Sequence, residues 1–330
     1  MSVSETELVA VQDLAKTYSG GVTALHGLSF RISAGEVFGL LGPNGAGKST
    51  TVRILTTLCS PTSGTAVVAG FDVVRQPESV RQNIGYVGQS TGLDMMATGR
   101  DNLVLYGSLV DLTGERLRSR IGEVLELFQL QDVADRPVGG YSGGMRRRLD
   151  LACSLLHMPK VLFLDEPTTG LDPQSRALMW ELIRRLSSQD GLAVLLTTHY
   201  MDEADSLASR LLIIDKGQAV AAGTPAALKS SLRGDFVTIQ VADATHLGEA
   251  EALLAQQQEV SKVLVDGLAL HALVDDSGRA VSQLIGVLKA QGVPIVQTTL
   301  NRPSLDDVYL SATGHKYQVG VARPRFFPAW

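Results

Sequence analysis

Apolar residues recur along this chain with two different periods. Leu8 to Asp13 and Ala24 to Ile32 read as strands, with Gly20-Gly21 as the turn between them. Glu36 to Leu41 is a short apolar strand that runs into a glycine-rich loop, and Lys48 to Leu58 follows in helical spacing. Residues 92–158 are mainly of helical period, as in Glu115 to Leu127 and Met145 to Leu156. Val161 to Asp165 and Ala193 to Thr198 are apolar almost throughout, the pattern of strands covered on both faces of a parallel sheet. Gln174 to Leu186 predicts the helix between them, and Leu211 to Asp215 with Gln218 to Ala222 predicts a hairpin about Lys216-Gly217. These elements define an α/β core with a β-rich flank and a helical subdomain at about 92–158.

The pattern changes after Gly223-Thr224-Pro225. Phe236 to Val241 alternates as a strand, Leu247 to Gln257 is helical, and Lys262 to Val265 with Leu268 to Val274 forms a hairpin on Asp266-Gly267. Arg279 to Ala290 is helical and Pro294 to Thr299 is a strand. The order βαββαβ predicts a small α+β domain of the ferredoxin-like kind. Ser304 caps a last helix, Leu305 to Leu310. The expected organisation is therefore 1–223, 224–314, and a mobile tail over 315–330.

Charge narrows the partners. The 29 basic residues are outnumbered by 34 acidic ones, for a formal net charge of −5. That balance offers no electrostatic footprint for nucleic acid, and none is expected as a partner. Cys59 and Cys153 lack metal-ligand spacing. No apolar run nears the roughly 20 residues that cross a bilayer, and the first residues, with Glu5 and Glu7, lack the basic region of a secretory signal. The chain is expected on the cytoplasmic side, with any membrane role requiring a partner.

Three segments carry chemistry. Gly42-Pro43-Asn44-Gly45-Ala46-Gly47-Lys48-Ser49, followed by Thr50, fits G-x-x-x-x-G-K-[ST] between a buried strand and a helix. Its backbone amides and the helix N-terminus suit phosphates. Lys48 would reach the β- and γ-phosphates, and the Ser49 hydroxyl would bind Mg²⁺. Val161 to Asp165 delivers a carboxylate to the end of the sheet, where Asp165 would hold Mg²⁺. Glu166 would orient or deprotonate the attacking water. Tyr141-Ser142-Gly143-Gly144-Met145 opens another helix, whose N-terminus would face an anion with one hydroxyl and two bare amides. The Arg146-Arg147-Arg148 run that follows reads at least as well as solvated helix surface as a functional patch.

With this third segment the chain resembles the ABC ATPases, whose signature is Leu-Ser-Gly-Gly-Gln; Tyr141 and Met145 depart from it, while Ser142, Gly143 and Gly144 are retained. The resemblance implies ATP and Mg²⁺ as cofactors. It also implies a head-to-tail homodimer in which the signature of one copy meets the γ-phosphate held by the other. Further matches follow in the family's order. Tyr18 corresponds to the aromatic that stacks on adenine, and Gln89 to the glutamine that touches Mg²⁺ and water. Thr169-Gly170-Leu171-Asp172 corresponds to the loop that meets its copy in the dimer, and His199 to the switch histidine near the γ-phosphate.

The cassette is single, and no extended heptads lie between Lys48 and Asp165, unlike the translation-associated and DNA-repair members. A soluble ATPase acting on ribosomes or nucleic acid is therefore the alternative rather than the first expectation. Tyr141 to Asp150 and Pro303 to Leu310 resemble the daunorubicin-resistance ATP-binding proteins. This implies the motor of a bacterial exporter of drugs, antibiotics or polyketide- and lipid-like compounds. Such a motor sits peripherally on the cytoplasmic face of the cell membrane, against separately encoded polytopic permease subunits.

Overall fold

A computed structural model describes residues 7–232, 234–275 and 277–314, and the predicted tail lies outside the described residues. The chain divides into two compact units, 1–219 and 220–330. In chain order the first carries β1 (Glu7–Thr17), β2 (Thr23–Ser33), β3 (Val37–Leu41), α1 (Lys48–Leu55), β4 (Ser63–Val68), β5 (Phe71–Asp72), α2 (Pro77–Gln82) and β6 (Ile84–Val87). There follow α3 (Gly99–Leu109), α4 (Gly114–Leu127), α5 (Gly143–Ser154), β7 (Val161–Asp165), α6 (Pro173–Asp190), β8 (Ala193–Thr198), α7 (Met201–Leu207) and β9 (Arg210–Asp215). The unit boundary falls inside β10 (Gln218–Gly223).

The central sheet has the order β10-β9-β3-β8-β7-β6. Its strands β9, β3, β8, β7 and β6 are joined by parallel pairings. Every residue of β3, β7 and β8 is buried. Their side chains still alternate between the two faces. Val37, Leu162, Leu164, Val194 and Leu196 pack into the core that also takes Leu117, Val124, Leu149 and Ile183 from the helices. Phe38, Leu40, Phe163 and Leu195 face the opposite core, with Val9, Leu14, Ile32 and Val52. The unbroken apolar runs are thus two interleaved faces, both covered. The flank is a second sheet, β2-β1-β4-β5.

Several elements differ from the pattern-based expectation. Helix α1 stops at Leu55 rather than Leu58, because Thr57 turns the chain with φ 64°. Strand β1 runs on through Ala15-Lys16-Thr17, since it pairs with β2 on one side and with β4 on the other. Backbone pairing carries it past the point where its apolar alternation ends. Strands β4 and β6 and helix α7 lack a legible pattern in the sequence. Four residues suffice for β6, whose neighbour β7 supplies its ladder.

The second unit holds α8 (Pro225–Ser231), β11 (Asp235–Val241), α9 (Leu247–Ala255), β12 (Val260–Asp266), β13 (Ala269–Val274), α10 (Ser277–Ala290), β14 (Ile295–Asn301) and α11 (Leu305–Thr313). Its antiparallel sheet has the order β12-β13-β11-β14, which is the ferredoxin-like arrangement the sequence predicts. Val237, Ile239 and Ala272 of the sheet pack with Leu254 of α9 and Leu284 and Leu288 of α10. Ser304 and Asp307 close a capping box at the start of α11.

Phe163 is fully buried in β7. Phe163→Ala should cost about 3–5 kcal/mol, seen as a lower denaturant midpoint by circular dichroism; an unchanged midpoint would mean that this core is not formed as described.

Candidate functional site

The parallel register brings three strand ends together. Leu41 of β3 pairs with Thr198 of β8, and Asp165 of β7 pairs with Thr197. The loops leaving β3, β7 and β8 therefore meet at the carboxyl edge of the sheet, where α/β folds place their ligands.

The loop after β3 turns sharply into α1. Gly47 is its N-cap at φ 108°, and a β-carbon there would lie 2.7 Å from the Ala24 carbonyl oxygen. Glycine is required on both counts. Lys48 is buried, and its ammonium donates to the carbonyls of Gly42 (2.6 Å) and Pro43 (3.1 Å) and lies 3.6 Å from Glu166 Oε1. Burial pulls this ammonium below its ordinary pKa, with Glu166 and Asp165 opposing. The Ala46 carbonyl accepts from the Gly217 amide. Gly45 has φ 85° with open space about its α-carbon, and Asn44 is exposed beside it. Tyr18 shares a 3.3 Å hydrogen bond with Thr50 on the first turn of α1, with Lys16 5.2 Å above its ring.

Asp165 Oδ1 accepts from Ser49 Oγ at 3.1 Å and from Thr197 Oγ1 at 2.6 Å, and the Gln89 side-chain amide lies 3.2 Å from Ser49 Oγ. Glu166 follows with φ 52°, a conformation that disfavours a β-carbon. Its amide donates to the carbonyl and hydroxyl oxygens of Thr197 at 3.2 and 3.0 Å. The buried His199 places Nδ1 3.2 Å from Glu166 Oε1, in ion-pair range but off the line of a directed hydrogen bond. Burial pushes the Glu166 carboxyl up, but adjacent His199 and Lys48 outweigh it and hold the group below its ordinary value of 4.5. A carboxylate so held stays ionised at neutral pH and can accept a proton. Lys48, Ser49, Gln89, Asp165, Glu166 and His199 thus form one cluster. Thr197 is the member that sequence reasoning missed; its only signal was a hydroxyl at the end of an apolar run.

Ser142, Gly143 and Gly144 stand elsewhere, at the start of α5. Ser142 is the N-cap, accepting from the Met145 amide at 3.2 Å, and it is exposed with Gly143. Gly144 is buried, and a β-carbon on it would meet Ser175 Oγ at 2.5 Å, so helix packing also requires glycine there. Tyr141, in place of leucine, is buried and donates its hydroxyl to the Val133 carbonyl at 2.6 Å. Asp172 is the N-cap of α6, bonded to the Ser175 amide and hydroxyl at 2.9 and 2.7 Å. The arginine run divides. Arg146 and Arg148 are partly exposed, but Arg147 is buried, which corrects the solvated-surface expectation for that residue.

A cleft of about 540 Å³ opens beside the cluster, lined by Ser49, Tyr86, Gln89, Tyr106, Asp150 and Asp165 among others. A larger one of about 920 Å³, bordered by Arg120, Leu155 and Arg185, carries none of the cluster residues. Among the described residues no helix is long and apolar enough to cross a membrane.

A phosphate loop, a carboxylate pair and a histidine at one sheet edge define a nucleotide-hydrolysing protein of the P-loop class. The model of the ABC transporter family matches residues 25–169, and that of the DrrA1-3-like ATP-binding protein C-terminal domain matches residues 223–313. The daunorubicin resistance ATP-binding protein DrrA2 of Streptomyces coeruleorubidus is 47% identical, covering 93% of this chain and 95% of that protein. The Nod factor export ATP-binding protein I of Burkholderia orbicola is 39% identical, covering 93% and 97%. Among solved structures, cbiO1 from Clostridium perfringens, part of the ABC transporter complex cbiONQ, superposes with a TM-score of 0.64 at 27% identity. That match covers 68% of this chain and 92% of the other. The chain belongs to the ATP-binding subunits of ABC transporters, in the group of the daunorubicin-resistance proteins, and is an ATPase of that family.

Glu166 binds its proton less tightly folded than unfolded, so its ionisation stabilises the protein above the unfolded value; that share is lost as pH falls through the folded value. The melting difference between wild type and Glu166→Gln should therefore be largest near neutrality and shrink below pH 4.5. A difference that grows on acidification would contradict the assigned shift.

Proposed function

We propose that two copies of this chain bind two ATP molecules head to tail and drive export through separately encoded membrane subunits. Each ATP would lie against the Gly42–Thr50 loop of one copy and the Ser142-Gly143-Gly144 turn of the other. The observation that carries this reading is the cluster at the sheet edge, where one carboxylate, Glu166, contacts both Lys48 and His199.

The positions support the following roles. Lys48 exchanges its carbonyl partners for phosphate oxygens, and Tyr18 offers its ring to the adenine. Glu166 accepts the proton of the attacking water, held by Lys48 and His199 in a pocket where burial strengthens each interaction. Gln89, beside Ser49, would help orient that water. Asp172 presents its loop to the second copy. Ser49 Oγ and Asp165 Oδ1, already 3.1 Å apart with the Gln89 amide adjoining, are hard donors that suit Mg²⁺. The ion would offset charge on the β- and γ-phosphates.

The names of the relatives point to resistance and export, so the cargo class proposed is a drug, antibiotic or other polyketide- or lipid-like compound. This motor would work at the cytoplasmic face of the membrane.

Glu166→Gln should retain ATP binding while turnover falls roughly 100-fold or more; a wild-type rate would remove Glu166 from the base role. Lys48→Ala should lose ATP affinity by calorimetry, and unchanged affinity would refute the phosphate-loop assignment. A gentle-detergent pull-down from the native membranes should recover a polytopic membrane protein in equal amount. Ribosomes or nucleic acid in its place would favour the soluble alternative.

A further inference from the structure

Arg147 sits on the first turns of α5, directly after the signature turn, with 9% of its surface exposed. Burying a guanidinium is costly unless its donors are satisfied. Here they are satisfied by two loops of the catalytic cluster. Nη1 donates to the Gly88 carbonyl at 2.6 Å, immediately before Gln89. Nε donates to the Pro167 carbonyl at 2.8 Å, and Nη2 reaches the carbonyls of Asp165 (3.2 Å) and Glu166 (3.3 Å). One planar fork therefore spans the loop that carries Gln89 and the loop that carries the carboxylate pair.

Neighbouring groups fit the same purpose. Asp150, one turn further along α5, holds the other side of the Gln89 loop through Thr91 and the Gly92 amide. On the far side of the carboxylate loop, the Thr168 hydroxyl donates to the fully buried Glu203 of α7 at 2.7 Å. The strained turn at Glu166 (φ 52°) is thus gripped from α5 and from α7. Such backbone persists only where its surroundings over-determine it.

We propose that Arg147 is a positioning residue for ATP hydrolysis, which fixes the Gln89 loop and the Glu166 loop to the signature helix so that they move as one body. Displacement of the signature turn then reaches both Glu166 and Gln89 through the Arg147 side chain. It touches neither the Gly42–Thr50 loop nor Tyr18 by any of these bonds, so nucleotide capture does not depend on it. Lysine cannot substitute, because an ammonium is a point donor on a flexible stem and does not span four carbonyls on two loops.

The proposal rests on Glu166 as the general base, which Glu166→Gln tests separately. Arg147→Lys and Arg147→Gln are compared with wild type for steady-state turnover, for affinity toward a fluorescent ATP analogue, and for thermal midpoint. Arg148→Lys serves as the control on the same helix, since among the described residues Arg148 donates to the Phe128 and Gln129 carbonyls, away from the cluster. The expected result is a roughly 10- to 100-fold fall in kcat for both Arg147 variants. Analogue affinity should stay within about twofold and the fold should be retained in Arg147→Lys, with Arg148→Lys like wild type in all three. Turnover within twofold of wild type in Arg147→Lys would overturn the proposal. So would a parallel loss of affinity or of folding in that variant, or the same kcat loss in Arg148→Lys, because each would make the residue a general stabiliser.

Discussion

The nucleotide end of this protein depends on the hydrogen bonds that Asp165 accepts. Its Oδ1 binds Ser49 from the phosphate loop and Thr197 from β8, and Gln89 joins through Ser49. Segments from four places in the sequence converge on one carboxylate oxygen and its neighbours. That convergence is possible because β3, β8 and β7 lie side by side in parallel and end at the same level. A one-residue slip between β7 and β8 would turn Asp165 to the other face, and the cluster would not assemble.

The same crowding sets the electrostatics. Lys48, Glu166 and His199 are all largely withdrawn from water, so each is read by its neighbours more than by solvent. Burial pulls the ammonium below and pushes the carboxylate above its ordinary pKa; their proximity opposes this for each. Lys48 and Glu166 each favour the charged form of the other, and a nucleotide phosphate would enter as one more partner.

The parts of this arrangement differ in how plainly the sequence shows them. Strands β3, β7 and β8 are legible because a strand covered on both faces is apolar almost throughout. The phosphate loop is legible because strand, glycines, lysine and helix are adjacent in the chain. Arg147 is not. In Arg146-Arg147-Arg148 three consecutive positions point around the helix, so composition is the same whichever one faces inward. What makes position 147 the inner one is the arrival of the Gly88 and Asp165–Pro167 backbones, 59 and about 20 residues away in sequence. Carbonyl acceptors leave no side-chain signal. The later stretch of β1 and all of β6 are hidden for a related reason: ladder bonds to neighbouring strands, rather than side-chain patterning, extend them.

In the proposed head-to-tail pair one chain carries only half of each hydrolytic site, with Lys48 and Glu166 in one cluster and Ser142 and Gly143 exposed at the start of α5. Mixing two inactive chains tests this most directly, one bearing Lys48→Ala and the other Ser142→Arg. In a head-to-tail pair the intact cluster of the second chain meets the intact signature of the first. The mixture should then hydrolyse ATP well above the sum of the separate chains. No gain on mixing, with both chains folded and associating, would contradict a site completed by a second copy.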